Sequence, residues 1–299
     1  MPTTSTARPR HILISGASGG LGSAIAEAYA GANTRLTLWG RNEQRLTAVA
    51  ERCRLLGAEA RTLAGDTRDL PWARNALRVL NEASPIDLAF LNAGVSSGVL
   101  PDGGMEPVED LCRTLEVNAL GTINMGAALL ELMGKRGSGQ VVFISSLAAL
   151  YPLPFSPAYS AAKAAVACYA RAVRAALPPG RARISIIYPG YVDTPMSRRL
   201  LGPQPFRMTA EQAARRIKSG LDAGADDIVF PRLLAFGMRL LHLVPSPLAD
   251  FFARRFSFTV VPDAESPVSA PQSDEKDYAG SGAHVGEKTS ERPAKRGGQ

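Results

Sequence analysis

Short β-rich runs alternate with helical stretches along most of this chain, and that alternation leaves few folds open. His11–Ser15, Arg35–Trp39, Ala60–Gly65, Ile86–Leu91, Val141–Ser145, Arg183–Tyr188 and Asp227–Phe230 read as strands. Gly20–Ala30, Asn42–Leu56, Pro71–Ala83, Glu106–Met133, Ala158–Leu177 and Thr209–Leu221 read as the helices between them. The apolar run in Ile86–Leu91 suits a strand buried on both faces. Pro71 fits an early helical position, and Pro178-Pro179-Gly180 and Pro189-Gly190 end the elements before them. Alternation at this spacing predicts a single α/β domain, a doubly wound parallel sheet with helices on both faces. Ligands of such sheets bind beyond the carboxyl ends of the strands, so the loops that follow strands are where chemistry is expected.

Composition narrows the rest. With 299 residues, 45% of them apolar, the chain can bury a sizeable core and is no disordered protein. Cys53, Cys112 and Cys168 lie far apart. They suggest neither a disulfide framework nor a zinc site, so no metal is expected and a reducing, cytoplasmic compartment is. Met1–Arg10 offers no signal h-region. Leu233–Val244, the longest apolar stretch, contains Arg239 and His242 and is short of the ~20 residues that a membrane span needs. After Val261 the sequence turns to Ser, Pro, Gly, Glu and Lys, as in a disordered tail. The expected organisation is an N-terminal extension at 1–9, a catalytic domain at 10–261 and a tail at 262–299. The tail holds seven acids and five bases, so a formal charge of +7 conceals +9 on the body.

The first strand runs into Ser15-Gly16-Ala17-Ser18-Gly19-Gly20-Leu21-Gly22. Glycines at 16, 20 and 22, between a strand and a helix, suit a dinucleotide pyrophosphate held by free N–H groups at the helix N-terminus. An ordinary Gly-rich turn is the competing reading. At the end of the second strand, Leu38-Trp39-Gly40-Arg41-Asn42 lacks the acid that holds the ribose hydroxyl in NAD-binding folds. Arg41 could instead meet a 2′-phosphate, which favours NADP(H) over NAD(H).

Tyr159 and Lys163 stand four apart at a helix start and so share a face. A phenol titrates near pH 10, and a neighbouring ammonium favours the phenolate, so the pair can exchange a proton with a carbonyl or carbinol oxygen. Ser146 follows the fifth strand with a hydroxyl that could reach the same oxygen. Asn92-Ala93-Gly94 follows the fourth strand; the Asn amide can tie strands together, and Gly94 leaves room for a flat ligand. Asn118 is a poor helix former in mid-helix; it could bend the helix or hold water, but taken alone it reads as a satisfied polar contact.

In this joint order the motifs resemble the short-chain dehydrogenase/reductase family over roughly residues 10–230, with its Rossmann-type fold. SGASGGLG resembles the family's TGxxxGxG with Ser15 for Thr, and LNAG at 91–94 its NNAG with Leu91 for Asn. Asn118, Ser146, Tyr159 and Lys163 match its catalytic tetrad. Pro189-Gly190-Tyr191-Val192-Asp193-Thr194 matches PGxxxT, and Asp66 the acid near the adenine. The resemblance implies cofactor contacts from Gly16, Ser18, Gly20, Leu21, Gly22, Arg41, Asp66, Asn92, Ala93, Gly94, Tyr159, Lys163, Pro189, Gly190, Val192 and Thr194. It implies hydride transfer between nicotinamide and substrate carbon, with Tyr159 exchanging the proton and Lys163 lowering its pKa and holding the nicotinamide ribose. Ser146 would orient the substrate oxygen and Asn118 keep a relay water. Gly40 falls where NAD-preferring members carry Asp, and Gly19 where many NADP-preferring members carry a base. Family members pair through the helices matching 106–133 and 158–177, so a dimer or tetramer is expected.

Two segments should wall the substrate pocket: Leu147–Pro157 and the variable lid that begins at 195, within 191–225. Their apolar character suggests a small-molecule carbonyl or alcohol that is lipophilic or bulky. The lid arginines Arg198, Arg199 and Arg207 could bind an anion or form a solvated face. Leu233–Phe258, within the apolar segment at 232–258, is broken by Pro245 and Pro247 into two helical pieces. It reads as a cover over the pocket or a partner subunit, with peripheral membrane contact as the alternative. A non-catalytic nucleotide-binding sensor or scaffold is the alternative function, and the intact tetrad argues against it. Nucleic-acid binding rests on charge alone, and the 28 arginines among 34 basic residues are scattered, so no nucleic-acid partner is expected.

Overall fold

The computed structural model describes residues 10–178, 180–254 and 258–261. The extension at 1–9 and the tail at 262–299 lie outside the described residues. Seven strands form one parallel sheet in the order β10-β6-β5-β4-β1-β2-β3. They are β1 (His11–Ser15), β2 (Arg35–Gly40), β3 (Glu59–Ala64), β4 (Leu88–Leu91), β5 (Gln140–Ile144), β6 (Arg183–Pro189) and β10 (Asp227–Phe230). Two short pairs sit apart: β7 (Val192–Asp193) runs parallel to β9 (Met208–Thr209), and β8 (Leu200–Leu201) antiparallel to β11 (Thr259–Val260). The chain order reverses between β1 and β4, and their carboxyl ends diverge into the crevice where such sheets bind ligands.

Strand side chains alternate between two cores. Ile12, Ile14, Leu36, Leu38, Val142 and Ile144 face α1 (Gly20–Tyr29), α2 (Glu43–Leu55) and α7 (Ala210–Asp222). Leu13, Trp39, Val141, Phe143 and Ile186 face α3 (Leu70–Ala83), α5 (Thr122–Arg136) and α6 (Pro157–Ala176). Both faces are buried, so period-2 alternation separates the cores without being visible as a polarity pattern. Polar caps fix the helix starts: Asn42 accepts from the Arg45 N–H at 2.9 Å and Asp69 from the Trp72 N–H at 3.1 Å. Thr209 and Gln212 form a reciprocal capping box on α7.

Two expectations need correction. The fourth strand begins at Leu88, because the Asp87 carboxylate caps the sheet edge by accepting from the N–H groups of Arg10 and His11 at 2.9 and 3.0 Å. The stretch at 106–133 is no single α-helix. It comprises α4 (Val108–Leu115), a π-helical turn (Glu116–Gly121) and α5. Glu106 lies before α4, behind Pro107. The C-terminal segment does form two pieces, α8 (Arg232–Leu240) and α9 (Ser246–Arg254), around Pro245.

Candidate active site

A cavity of about 1090 Å³ opens along the carboxyl ends of β1, β2, β4, β5 and β6. One end is the glycine turn. Gly16 has φ +66°, and a Cβ there would come 2.8 Å from Ala93 Cα, so only glycine fits without strain. A Cβ on Gly20 would lie 2.4 Å from Thr194 Cγ2, which packs the turn directly against the lid. The Ser15 hydroxyl accepts from the N–H groups of Asn92 and Ala93 at 3.0 and 3.1 Å. The Asn92 amide donates to Gly16 O at 3.2 Å, so the two loops are tied as the sequence suggested. Gly16, Ser18, Gly20 and Leu21 line the cavity, whereas Gly22 backs it from inside α1. Bare backbone at the head of a helix fits a dinucleotide pyrophosphate.

Arg41 lines this end beside Ser18 and Gly40. Arg45, in the first turn of α2, lines it too, and its nearness to Arg41 in the chain was the available signal in the sequence. Asp66 lines the adjoining wall. Partial burial pushes its carboxyl up, but side-chain and backbone hydrogen bonds from Arg68, with the charges of Arg68 and Arg41, carry it below the usual range. Ala93, Gly94, Pro189, Gly190, Val192 and Thr194 line the middle of the cavity. Thr194 is held by Ser197, whose N–H donates to Thr194 Oγ1 at 3.2 Å and whose hydroxyl donates to the Thr194 carbonyl at 3.1 Å.

Ser146, Tyr159 and Lys163 converge at the centre. Lys163 is buried, and its Nζ donates to the Ile144 carbonyl at 2.9 Å while standing 5.7 Å from the centroid of the Tyr159 ring. Burial pushes the ammonium down to about 8. Burial also pushes the Tyr159 phenol above its ordinary value, partly offset by its hydrogen bond with Ser146. The direction is opposite to the lowering expected from Lys163: desolvation disfavours the charged form of each group. Below its raised pKa Tyr159 is a neutral phenol with an O–H to donate.

Asn118 is fully buried in the π-helical turn and does not line the cavity. Its Oδ1 accepts from the Val95 N–H and its Nδ2 donates to the Val95 carbonyl, both at 2.8 Å. The amide thus clamps the loop after β4.

Sequence reasoning missed Glu106, Ser145 and Tyr191. Buried Glu106 accepts from the Ala158 N–H at 3.1 Å and from the Ser97 hydroxyl, capping the helix that carries Tyr159 and Lys163. Ser156, at the N-cap itself, donates to the Ser97 carbonyl at 2.5 Å. Ser145 Oγ donates to the Lys163 carbonyl at 2.9 Å. Tyr191 lines the cavity, with its phenol pushed up to about 12 by burial and by Tyr159. The lid arginines are engaged. Asp193 pairs with Arg198 at 2.9 Å and with Arg207, and Arg199 donates to the carbonyls of Val261 and Ser96 at 2.8 and 3.2 Å.

The short chain dehydrogenase family profile matches residues 10–204. The chain belongs to the short-chain dehydrogenase family. This oxidoreductase is 31% identical over 247 residues to an uncharacterized oxidoreductase of Myxococcus xanthus, covering 82% of this chain and 97% of the relative. It is 28% identical over 253 residues to estradiol 17-beta-dehydrogenase 11 of Rattus norvegicus, covering 82% and 83%. Two solved family structures share the fold. A Burkholderia phymatum enzyme in complex with NAD has TM-score 0.70 and 21% identity over 78% of this chain and 93% of that one. A Sphingobium yanoikuyae dehydrogenase in complex with NADPH has TM-score 0.67 and 24% identity over 78% and 94%.

Proposed function

We propose that this short-chain dehydrogenase interconverts a carbonyl and an alcohol with NADP(H) in preference to NAD(H). The observation that carries the reading is the neutral, Ser146-bonded phenol of Tyr159 above buried Lys163, at the centre of a cavity whose glycine-rich end fits a dinucleotide. The backbone of Gly16–Gly22 would hold the pyrophosphate, Asp66 the adenine side, and Thr194 with Asn92-Ala93-Gly94 the nicotinamide side. Arg41 and Arg45 flank Gly40, where the extra phosphate of NADP would lie, and guanidinium–phosphate pairing is strong and directional. When bound, the nicotinamide supplies or accepts the hydride. Ser146 orients the substrate oxygen, Tyr159 donates its proton to that oxygen during reduction, and Lys163 stabilises the resulting phenolate.

The far end of the cavity is walled by Leu147, Leu153, Met238, Leu241, Phe252 and Phe258, which suits a lipophilic substrate. The name of the rat relative, estradiol 17-beta-dehydrogenase 11, points the same way. A homodimer or tetramer pairing through α4–α5 and α6 is part of this reading, and light scattering checks it. The deciding experiment follows NADPH absorbance against a panel of ketones, sugars and acyl compounds. Tyr159→Phe should cut turnover by roughly 10²–10⁴-fold, the usual share of general acid catalysis, and leave NADPH binding intact by fluorescence titration. Turnover at the wild-type rate in that variant sinks the assignment.

A further inference from the structure

The two C-terminal helices present a surface that the cavity does not use up. Seven of the sixteen large apolar residues exposed among the described residues fall between Leu233 and Phe252. Leu233, Phe236, Leu240 and Leu243 are 70%, 61%, 43% and 81% exposed, at spacings that place them along one stripe of α8 and the turn after it. On α9, Phe251 and Phe252 are 58% and 45% exposed, with their rings edge-on at 5.7 Å. The opposite side of the segment holds the body: Ala235 is buried, and His242 bonds the Leu150 carbonyl at 2.5 Å and packs on Tyr151. Leu233 and Phe252 also line the cavity, so its apolar end reaches the exposed stripe. A soluble surface rarely leaves so much contiguous apolar area bare.

Charge selects the occupant. Arg232, Arg239 and Arg254 are exposed on the same two helices, and Asp250 is the one acid between 232 and 254. An isologous contact through this face would gather these arginines from both copies with only Asp250 of each to neutralise them. Residues 262–299 carry only Val268, Tyr278 and Val285 as larger apolar side chains, too few to cover the stripe. An anionic lipid surface satisfies both features, taking the apolar side chains below its headgroups and the guanidinium groups among them. We propose that the outer faces of α8 and α9 form a docking surface for an anionic membrane, which sets the apolar end of the cavity at the lipid interface.

The full chain is floated with vesicles of phosphatidylcholine alone and of phosphatidylcholine mixed with phosphatidylglycerol. The expected result is co-flotation with the mixed vesicles, weaker with phosphatidylcholine alone, and reduced by salt. Replacing Phe236 and Leu243 by Asp should lower partitioning by roughly tenfold or more without moving the thermal midpoint. Phe236→Trp, which keeps an apolar ring, should still bind and shift its emission to the blue on the mixed vesicles. No flotation with either vesicle overturns the proposal, as does unchanged flotation of the Asp variant. Conversion of a larger oligomer to a smaller one by the Asp substitutions, without vesicle binding by the wild type, assigns the face to a second copy instead.

Discussion

Glu106 is a charged residue that no motif announces, yet it holds the helix start from which Tyr159 and Lys163 project. A carboxylate at a helix N-terminus gains from the backbone N–H groups and from the helix dipole. Glu106→Gln keeps the shape and removes the charge, and should cost about 1–2 kcal/mol, read from urea unfolding. Arg41 and Arg45 make the opposite kind of contribution, to the ligand rather than the fold. Replacing both by Ala should raise the KM for NADPH by roughly ten- to a hundredfold, the worth of charge-assisted hydrogen bonds, and leave the KM for NADH nearly unchanged. A parallel rise for both nucleotides would remove the NADP preference. The tetrad was readable at this scale because Tyr159, Lys163 and Ser146 are set by short spacings around one strand end and one helix start. Glu106 was not, since its helix-capping partner Ala158 is distant in sequence and that contact forms only when the loop after β4 meets α6.

Among the elements, the π-helical turn shows what local sequence leaves open. Asn118 marks a weak point in a helix, but whether the chain bends, breaks or widens there depends on Val95, whose backbone N–H and carbonyl both bond the Asn118 amide. At the start of β1, His11 shows a second such dependence. Its ring bonds the Ser84 carbonyl at 2.8 Å and the Thr37 hydroxyl at 2.9 Å, and burial holds its pKa below the usual 6.5 despite the Ser84 hydrogen bond. The unfolded chain therefore takes up this proton first. The resulting stability is full above about pH 6.5 and declines as the pH falls toward the lower folded value. Urea unfolding above and below 6.5 checks this: His11→Gln should flatten that part of the pH dependence, and an unaltered slope would exclude His11 as its source.

On the scale of the whole molecule, the segment expected to form the lid is tied to β11 and to the loop after β4. β11 pairs with β8 of the lid, the Val260 N–H donates to the Val99 carbonyl at 2.9 Å, and Arg199 reaches both Val261 and Ser96. Phe258, 3% exposed, packs on Phe155 and lines the cavity. Phe258→Ala should loosen this closure: truncating a buried Phe costs about 3–5 kcal/mol, part of it local to the β8–β11 pair. Limited proteolysis should then cut within 195–208 faster than in the wild type, with NADPH binding retained at the other end of the cavity. Equal cleavage rates would mean that β11 does not restrain the lid.

The sequence by itself determined the parallel sheet, the glycine turn, the strand-end positions of Asn92 and Ser146, and the shared face of Tyr159 and Lys163. These follow from periodicity, glycine chemistry and short spacing, which act over a few residues. Only the tertiary structure decided the rest: that Glu106 caps α6, that Asn118 clamps Val95, that Asp193 engages Arg198 and Arg207, and that burial raises the Tyr159 phenol against the pull of its Ser146 hydrogen bond. Each depends on desolvation or on partners brought together across the fold, and neither is written in the residues next door.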